Sequence, residues 1–172
     1  MKAIVAVSKN NVIGINGKLP WEYPDDLKFF REKTLDQHVV VGHKTFLNMP
    51  TLKRRHVNVL SRNYDVAFEK YLGNDISIRK KRLQHLIDNK TYFVKDSSFL
   101  YKTTWVIGGA QIYSLLSDQI SDIYISRIPE TISYKKTDDV AFFPDILNDF
   151  YHSNVIKRDG FHVDHYQCYK SR

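Results

Sequence analysis

Cysteine is almost absent from this 172-residue chain, where Cys168 stands alone. One thiol excludes an intrachain disulfide and any cysteine-based metal knuckle, and it suits a reducing compartment. Long apolar runs are absent too. The first, over residues 3–7, is far too short for a signal peptide or a membrane-spanning helix, so a soluble, cytoplasmic protein is expected. There is no internal repeat and no low-complexity tract. Glycine (7) and proline (5) are few, while 42% of residues are apolar and 13% aromatic. That composition excludes disorder, a collagen-like repeat and a coiled coil. One domain of this length can bury a full core, and a single domain over 1–172 is expected. Several catalytic and binding signatures are missing as well. There is no Gly-x-Ser-x-Gly, no His-Glu-x-x-His, no GxGxxG, no Walker lysine, and no helix-turn-helix or zinc pattern.

Acidic residues are scarce in one stretch. The chain holds 26 Lys and Arg against 19 Asp and Glu, a formal charge of +7. Residues 53–102 contain twelve basic and five acidic side chains and so carry the whole excess; elsewhere fourteen balance fourteen. A basic region on a neutral body fits nucleic acid, a phosphorylated cofactor or a dicarboxylate, or else is a solvated face.

Short β-branched runs at 3–7, 38–41, 57–61, 92–94, 105–107 and 123–126 read as buried strands. Helices are expected from Pro24, over 43–49, over 77–89 and over 110–116, with a glycine- and proline-bearing loop at 10–23. Residues 151–169 read as a hairpin around Arg158, Asp159 and Gly160. His162 and His165 fall there as surface or edge residues. The sum is an α/β fold: a central, mostly parallel twisted sheet of about eight strands with an antiparallel C-terminal edge hairpin, flanked by about four helices.

Three strand ends in this scheme carry ligand-type chemistry. Gly108, Gly109 and Ala110 join a strand to a helix N-terminus, where outward N–H groups suit a phosphate or ribose. Gly42, His43, Lys44 and Thr45 form a second such junction, and Leu60, Ser61 and Arg62 a third. Each is ordinary turn chemistry when taken singly. Three at the carboxyl ends of strands in one sheet resemble the crevice where open α/β folds bind nucleotides. Asp26 is the sharpest single candidate. A carboxylate in a helix's first turn commonly serves the helix dipole. If Leu27 and Phe30 face the core, however, Asp26 borders an apolar pocket, where burial raises its pKa and the helix N-terminus lowers it. Such an acid can hydrogen-bond a donor-rich heterocycle and help deliver a proton.

Val12, Ile13 and Gly14; Leu19, Pro20 and Trp21; Pro24, Asp26, Leu27 and Phe30; Val41, Gly42, Thr45 and Phe46; Leu60, Ser61 and Arg62; residues 106–113; and Phe142, Phe143 and Pro144 follow one another in an order and spacing that resembles dihydrofolate reductase. The likeness covers roughly three quarters of the chain. It implies NADPH-dependent reduction of 7,8-dihydrofolate to tetrahydrofolate, in support of thymidylate and one-carbon metabolism. It further implies that Asp26 is the only ionisable side chain in the pterin pocket, binding the 2-amino group and N3 and favouring protonation at N5. Leu19, Trp21 and Tyr113 would complete the catalytic set. Ile4, Val5, Ala6, Leu27, Phe30, Arg31, Ile107, Tyr113 and Ser126 would line the substrate, with Met49 and Leu52 on the aminobenzoyl ring. Arg55 would pair with the glutamate α-carboxylate, a task that suits a guanidinium. The resemblance assigns the cofactor to Ala6, Ile13, Gly14, Gly42, His43, Lys44, Thr45, Leu60, Ser61, Arg62, Ile107, Gly108, Gly109, Ala110, Gln111 and Ile112. Arg62 would meet the 2′-phosphate, a cis peptide would join Gly108 to Gly109, and the loop at 10–23 would close over the nicotinamide. Residues 42–104 would form an adenosine-side sub-lobe.

The chain departs from the family pattern in four places. His43 stands where an arginine often helps the phosphates, and Gln111 replaces another common basic position. The run 50–55 is short and has no glycine, which leaves Arg54 as well as Arg55 open for the glutamate tail. Residues 63–91 are longer than the family pattern by about one helix. The resemblance implies a small-molecule substrate, a monomer, no membrane and no nucleic acid, with a functional link to thymidylate synthase. Two other readings remain: a pyrimidine or pteridine reductase of the same fold, and a non-enzymatic role for the basic helix at 77–89.

Overall fold

The computed structural model describes residues 1–169. Along the chain run β1 (Lys2–Val7), β2 (Val12–Ile15), α1 (Pro24–Thr34), β3 (His38–Gly42), α2 (His43–Asn48), β4 (His56–Leu60), α3 (Tyr64–Leu72), α4 (Ile76–Asp88), β5 (Thr91–Val94), β6 (Trp105–Val106), α5 (Ala110–Leu116), β7 (Asp122–Arg127), β8 (Val140–Phe142), β9 (Phe150–Lys157) and β10 (His162–Cys168). Eight strands make one sheet in the order β5-β4-β3-β6-β1-β7-β10-β9, and β2 pairs with β8 in a second. In the large sheet β10 runs opposite to the other seven strands, pairing antiparallel with both β7 and β9. The fold class is the expected one. Among the described residues no helix is long and apolar enough to cross a membrane.

Alternation along the central strands divides the core into two faces. Ala3, Val5, Val7, Val40 and Val106 pack with Ile112, Tyr113 and Leu116 of α5. Ile4, Val39, Val41, Val57, Val59 and Trp105 point the other way and pack with Phe29 of α1. Each side takes every second residue because successive strand side chains alternate. Covered on both faces, the parallel strands read as continuous β-branched runs.

The chain steps outward from β3 to β4 and β5, then returns to insert β6 between β3 and β1. The connections after β3 and β6 therefore diverge, and a crevice opens at their carboxyl ends.

Four expectations are corrected. The loop at 10–23 contains β2, because Val12 and Ile15 find partners in Phe142 and Val140. Leu27 does not face the core: it is 57% exposed, while Asp26, Phe29 and Thr34 are the buried residues of α1. Phe29 and Leu27 lie roughly 160° apart around a helix, so the sheet takes in only one of them. The segment 63–91 holds α3 as well as the expected basic helix, α4. Gly73, at φ 73°, ends α3, and the Asp75 carboxylate caps α4 by accepting from the Ile78 N–H at 2.8 Å. Phe68 and Tyr71 of α3 pack on Phe93 of β5. Finally, His165 is not a surface residue. It stacks on Tyr124 at 4.2 Å and meets Asp122 at 2.9 Å, because its strand lies inside the sheet, between β7 and β9.

Candidate active site

Pro24 opens α1 at the first helical position, where its missing N–H costs nothing, and Asp25 and Asp26 follow in the first turn. The helix crosses the Ile4 face of the sheet, which presses Asp26 inward until it is 8% exposed. Burial pushes the Asp26 carboxyl above its ordinary value; the Ser126 hydroxyl opposes this, Asp25 adds to it and Arg158 opposes it. Ser126 is itself fully buried, opposite Ala6 on the adjoining strand. Its Oγ makes no hydrogen bond of ordinary geometry among the described residues, so it acts on the acid as a polar neighbour rather than as a firm donor. The Nε1 of buried Trp21 is also unpartnered among them. Two orphaned polar groups in the segments around a buried acid fit a polar ligand, since burying such groups unpaired is costly.

The apolar part of the site assembles on the same face. Ile4 is buried there, and Phe30, Met49, Leu52 and Ile107 pack half-buried against it. Val5 faces the opposite side, beside Tyr113, while Ala6 is half-buried. The Tyr113 hydroxyl donates to the Ile4 carbonyl at 2.7 Å, and burial together with the nearby Asp26 raises its pKa. Leu19, Leu27 and Arg31 are exposed.

The structure separates the two arginines. Arg54 turns outward into a bidentate pair with Asp36. Arg55 is 5% exposed: its Nη1 donates to the Lys53 carbonyl at 2.8 Å, and its Nε and Nη2 donate to Thr34 Oγ1 at 3.3 and 3.2 Å. Its guanidinium lies 5.9 Å from the Phe30 ring centroid. Among the described residues no carboxylate pairs with it. Burial, and then the like charge of Arg31, lowers its pKa.

The three strand-end junctions lie on the adjacent strands β4, β3 and β6. The Gly42 N–H donates to the Gly108 carbonyl at 2.8 Å, and the peptide between Gly108 and Gly109 is cis. A Cβ on Gly109 would stand 2.8 Å from Thr45 Oγ1, and one on Gly42 would stand 2.9 Å from Ile112 Cγ1. Bare backbone at both positions lets β3 and the cis turn pack closely on α2 and α5, which brings the two helix starts side by side in one cradle, where N–H groups suit an anion. Lys44, Arg62 and Gln111 are exposed around it, Ser61 and Ala110 are half-buried, and Leu60 is buried beneath. His43 faces inward toward Phe93, with its Nε2 unpartnered among the described residues; burial, and then Lys70, lowers its pKa. Ile13 and Gly14 are half-buried in β2.

Sequence alone marks Arg158 only as part of a turn. It reaches Asp25 at 3.0 Å and Glu32 at 3.4 Å, and lies over the Phe29 ring at 5.1 Å. A contact between residues 126 apart leaves no local trace in the sequence.

A family model described as dihydrofolate reductase matches residues 1–171. The chain is 34% identical to a dihydrofolate reductase of Enterococcus faecium over 125 residues, 72% of this chain and 68% of that one. It is 30% identical to a type 1 dihydrofolate reductase of Escherichia coli over 156 residues, 87% and 85% of the two chains. Among solved structures, the dihydrofolate reductase from Enterococcus faecalis complexed with NADP(H) and RAB-propyl superposes with a TM-score of 0.69 at 26% identity, covering 98% of this chain and 96% of the other. The buried acid, the glycine cradle and these relatives agree, and the chain belongs to the dihydrofolate reductase family.

Proposed function

We propose that this protein reduces 7,8-dihydrofolate to 5,6,7,8-tetrahydrofolate with NADPH, as a cytoplasmic monomer supplying thymidylate and one-carbon metabolism. The observation that carries the reading is the Asp26 carboxyl, buried beside Ser126 at the foot of an apolar wall and held above its ordinary pKa. NADPH, held by the glycine cradle and by Lys44, Ser61 and Arg62, would supply the hydride for C6 of the pterin.

The chain's own residues bind and orient. Asp26 takes the 2-amino group and N3 of the pterin, and its raised pKa keeps a proton in reach of N5. Ile4, Phe30 and Ile107 exclude water from the ring. Trp21 Nε1, buried and unpartnered among the described residues, is free to hold a water or a ring atom. The bond from Tyr113 to the Ile4 carbonyl fixes β1 against α5, so acid and cradle keep their spacing. Arg55 pairs with the α-carboxylate of the glutamate tail, and the Arg54 pair with Asp36 favours this choice. Gly42, Gly108 and Gly109 admit the cofactor backbone; Lys44, Ser61 and Arg62 meet its phosphates, within a sub-lobe over 42–104.

Mixing the protein with dihydrofolate and NADPH and following absorbance at about 340 nm tests the proposal. A folded protein that leaves the signal unchanged refutes it. Tight competition by methotrexate separates this activity from a pteridine reductase of the same fold.

A further inference from the structure

The loop between α2 and β4 carries Leu52 and Arg55, and it lacks a glycine although Arg54 sits at φ 59°. A bulky residue in that conformation persists only where its surroundings hold it. On one side the loop is tied to α1 and the turn after it, through Arg55 to Thr34 and Arg54 to Asp36. On the other side the contact comes from the inserted helices. His85 of α4 places Nε2 3.3 Å from Thr51 Oγ1. The direction of this bond follows from Asn89. Its Nδ2 donates to the His85 carbonyl at 2.9 Å, which identifies it as the amide nitrogen, and it also lies 3.4 Å from His85 Nδ1. Nδ1 therefore accepts, Nε2 carries the hydrogen, and His85 donates to Thr51. Helix α4 can act as a fixed post because Arg79 grips Glu69 at 2.7 and 2.9 Å and Arg82 holds the Tyr71 carbonyl. A cavity of about 180 Å³ lies between post and loop, lined by Met49 and Leu52 from the proposed substrate wall and by Tyr71 and His85 from the insertion.

We infer that His85 is a positioning residue for substrate specificity: through Thr51, the inserted helix sets the loop that presents Leu52 and Arg55 to the glutamate-bearing end of the substrate. The inference rests on the dihydrofolate reading above. His85 does not touch the reacting atoms, so its loss acts on binding of the tail and not on hydride transfer.

The test compares dihydrofolate with dihydropteroate, which keeps the pterin and aminobenzoyl ring but has no glutamate. In His85→Ala, KM for dihydrofolate should rise about five- to tenfold, the size of one lost hydrogen bond, with kcat within about twofold and a rise in KM for dihydropteroate of no more than about twofold, the share that passes through Leu52. Thr51→Val, which removes the acceptor and leaves α4 intact, should reproduce the split. His85→Gln, whose Nε2 replaces the donor, should restore KM. Fluorescence titration with methotrexate and its des-glutamyl analogue gives the same comparison without turnover. A wild-type chain that reduces neither substrate sinks the reductase reading alone, and the titration still decides the role of His85. Equal losses for the two ligands, an unchanged KM in both His85→Ala and Thr51→Val, or a His85→Gln variant as impaired as His85→Ala would overturn the inference.

Discussion

Arg158 Nε lies 3.0 Å from Asp25 Oδ2, which joins the turn of the C-terminal hairpin to the first turn of α1. The ion pair, whose geometry is not that of a hydrogen bond, holds in place the helix end that buries Asp26, and it sets a cation near that acid. Arg158 opposes the upward shift of the Asp26 carboxyl. In Arg158→Gln the carboxyl should therefore rise further. The limb of the pH–rate profile that falls with rising pH should move to higher pH, and stability should drop by about 1 kcal/mol, as for other partly exposed ion pairs. Single-turnover hydride transfer across pH, with thermal unfolding alongside, checks both effects; a limb that stays in place removes Arg158 from the electrostatics of the site.

Asp26→Asn should keep the fold and lose turnover by about 10²-fold or more near neutral pH, the range of a lost proton donor. Near-normal single-turnover rates would remove Asp26 from the chemistry.

The same substitution carries a stability signature. Asp26 is raised from the model-compound value of 3.8. Between that value and its folded pKa the native state binds more protons than the unfolded chain, so wild-type stability falls as pH rises through this window and stays lower above it. Asp26→Asn has no charge to desolvate. It should melt higher than wild type at pH 7–8, and the difference should vanish as pH approaches 3.8. A melting temperature that is lower at neutral pH would contradict the sign.

Arg55→Gln should raise KM for dihydrofolate by about 10- to 100-fold, the range of a charge-assisted bond. Arg54→Gln should leave KM within about twofold, because its partner is Asp36, although some stability goes with that exposed pair. Steady-state kinetics on both variants decides which arginine serves the tail.

Gly42→Ala keeps an ordinary backbone, φ −73°, but sets a methyl 2.9 Å from Ile112 Cγ1. Overpacking of this kind costs about 1–3 kcal/mol. The melting temperature should fall and the NADPH dissociation constant should rise, since α2 and α5 must part where the cradle forms. Calorimetry and a fluorescence titration read the two effects, and Ile112→Ala in the same chain should recover part of both.

Much of this architecture is local and therefore legible along the chain. Strands buried on both faces announce themselves as β-branched runs, and Pro24 followed by two aspartates marks a helix start whatever packs on it. The second helix of the insertion was readable from its basic amphipathic run, with Leu86 on the buried side. The first was not, because α3 depends on Phe68 and Tyr71 finding Phe93, 25 and 22 residues further on. Strand β2 is short and half-buried, and pairing with β8 is what makes it a strand. The order of motifs was enough to indicate the family, because each motif is a strand end or a helix start whose chemistry is local.

Residue types and their spacing settled the α/β alternation, the acid at a helix start and the glycines at strand ends, since backbone conformation and side-chain periodicity are local properties. Which face of α1 turned inward, which of two neighbouring arginines was buried, and which distant cation stood beside the acid were settled by packing. Desolvation and ion pairing depend on groups on other elements, 18 residues away for Arg54 and Asp36 and 126 for Arg158 and Glu32, and no local pattern encodes such pairings.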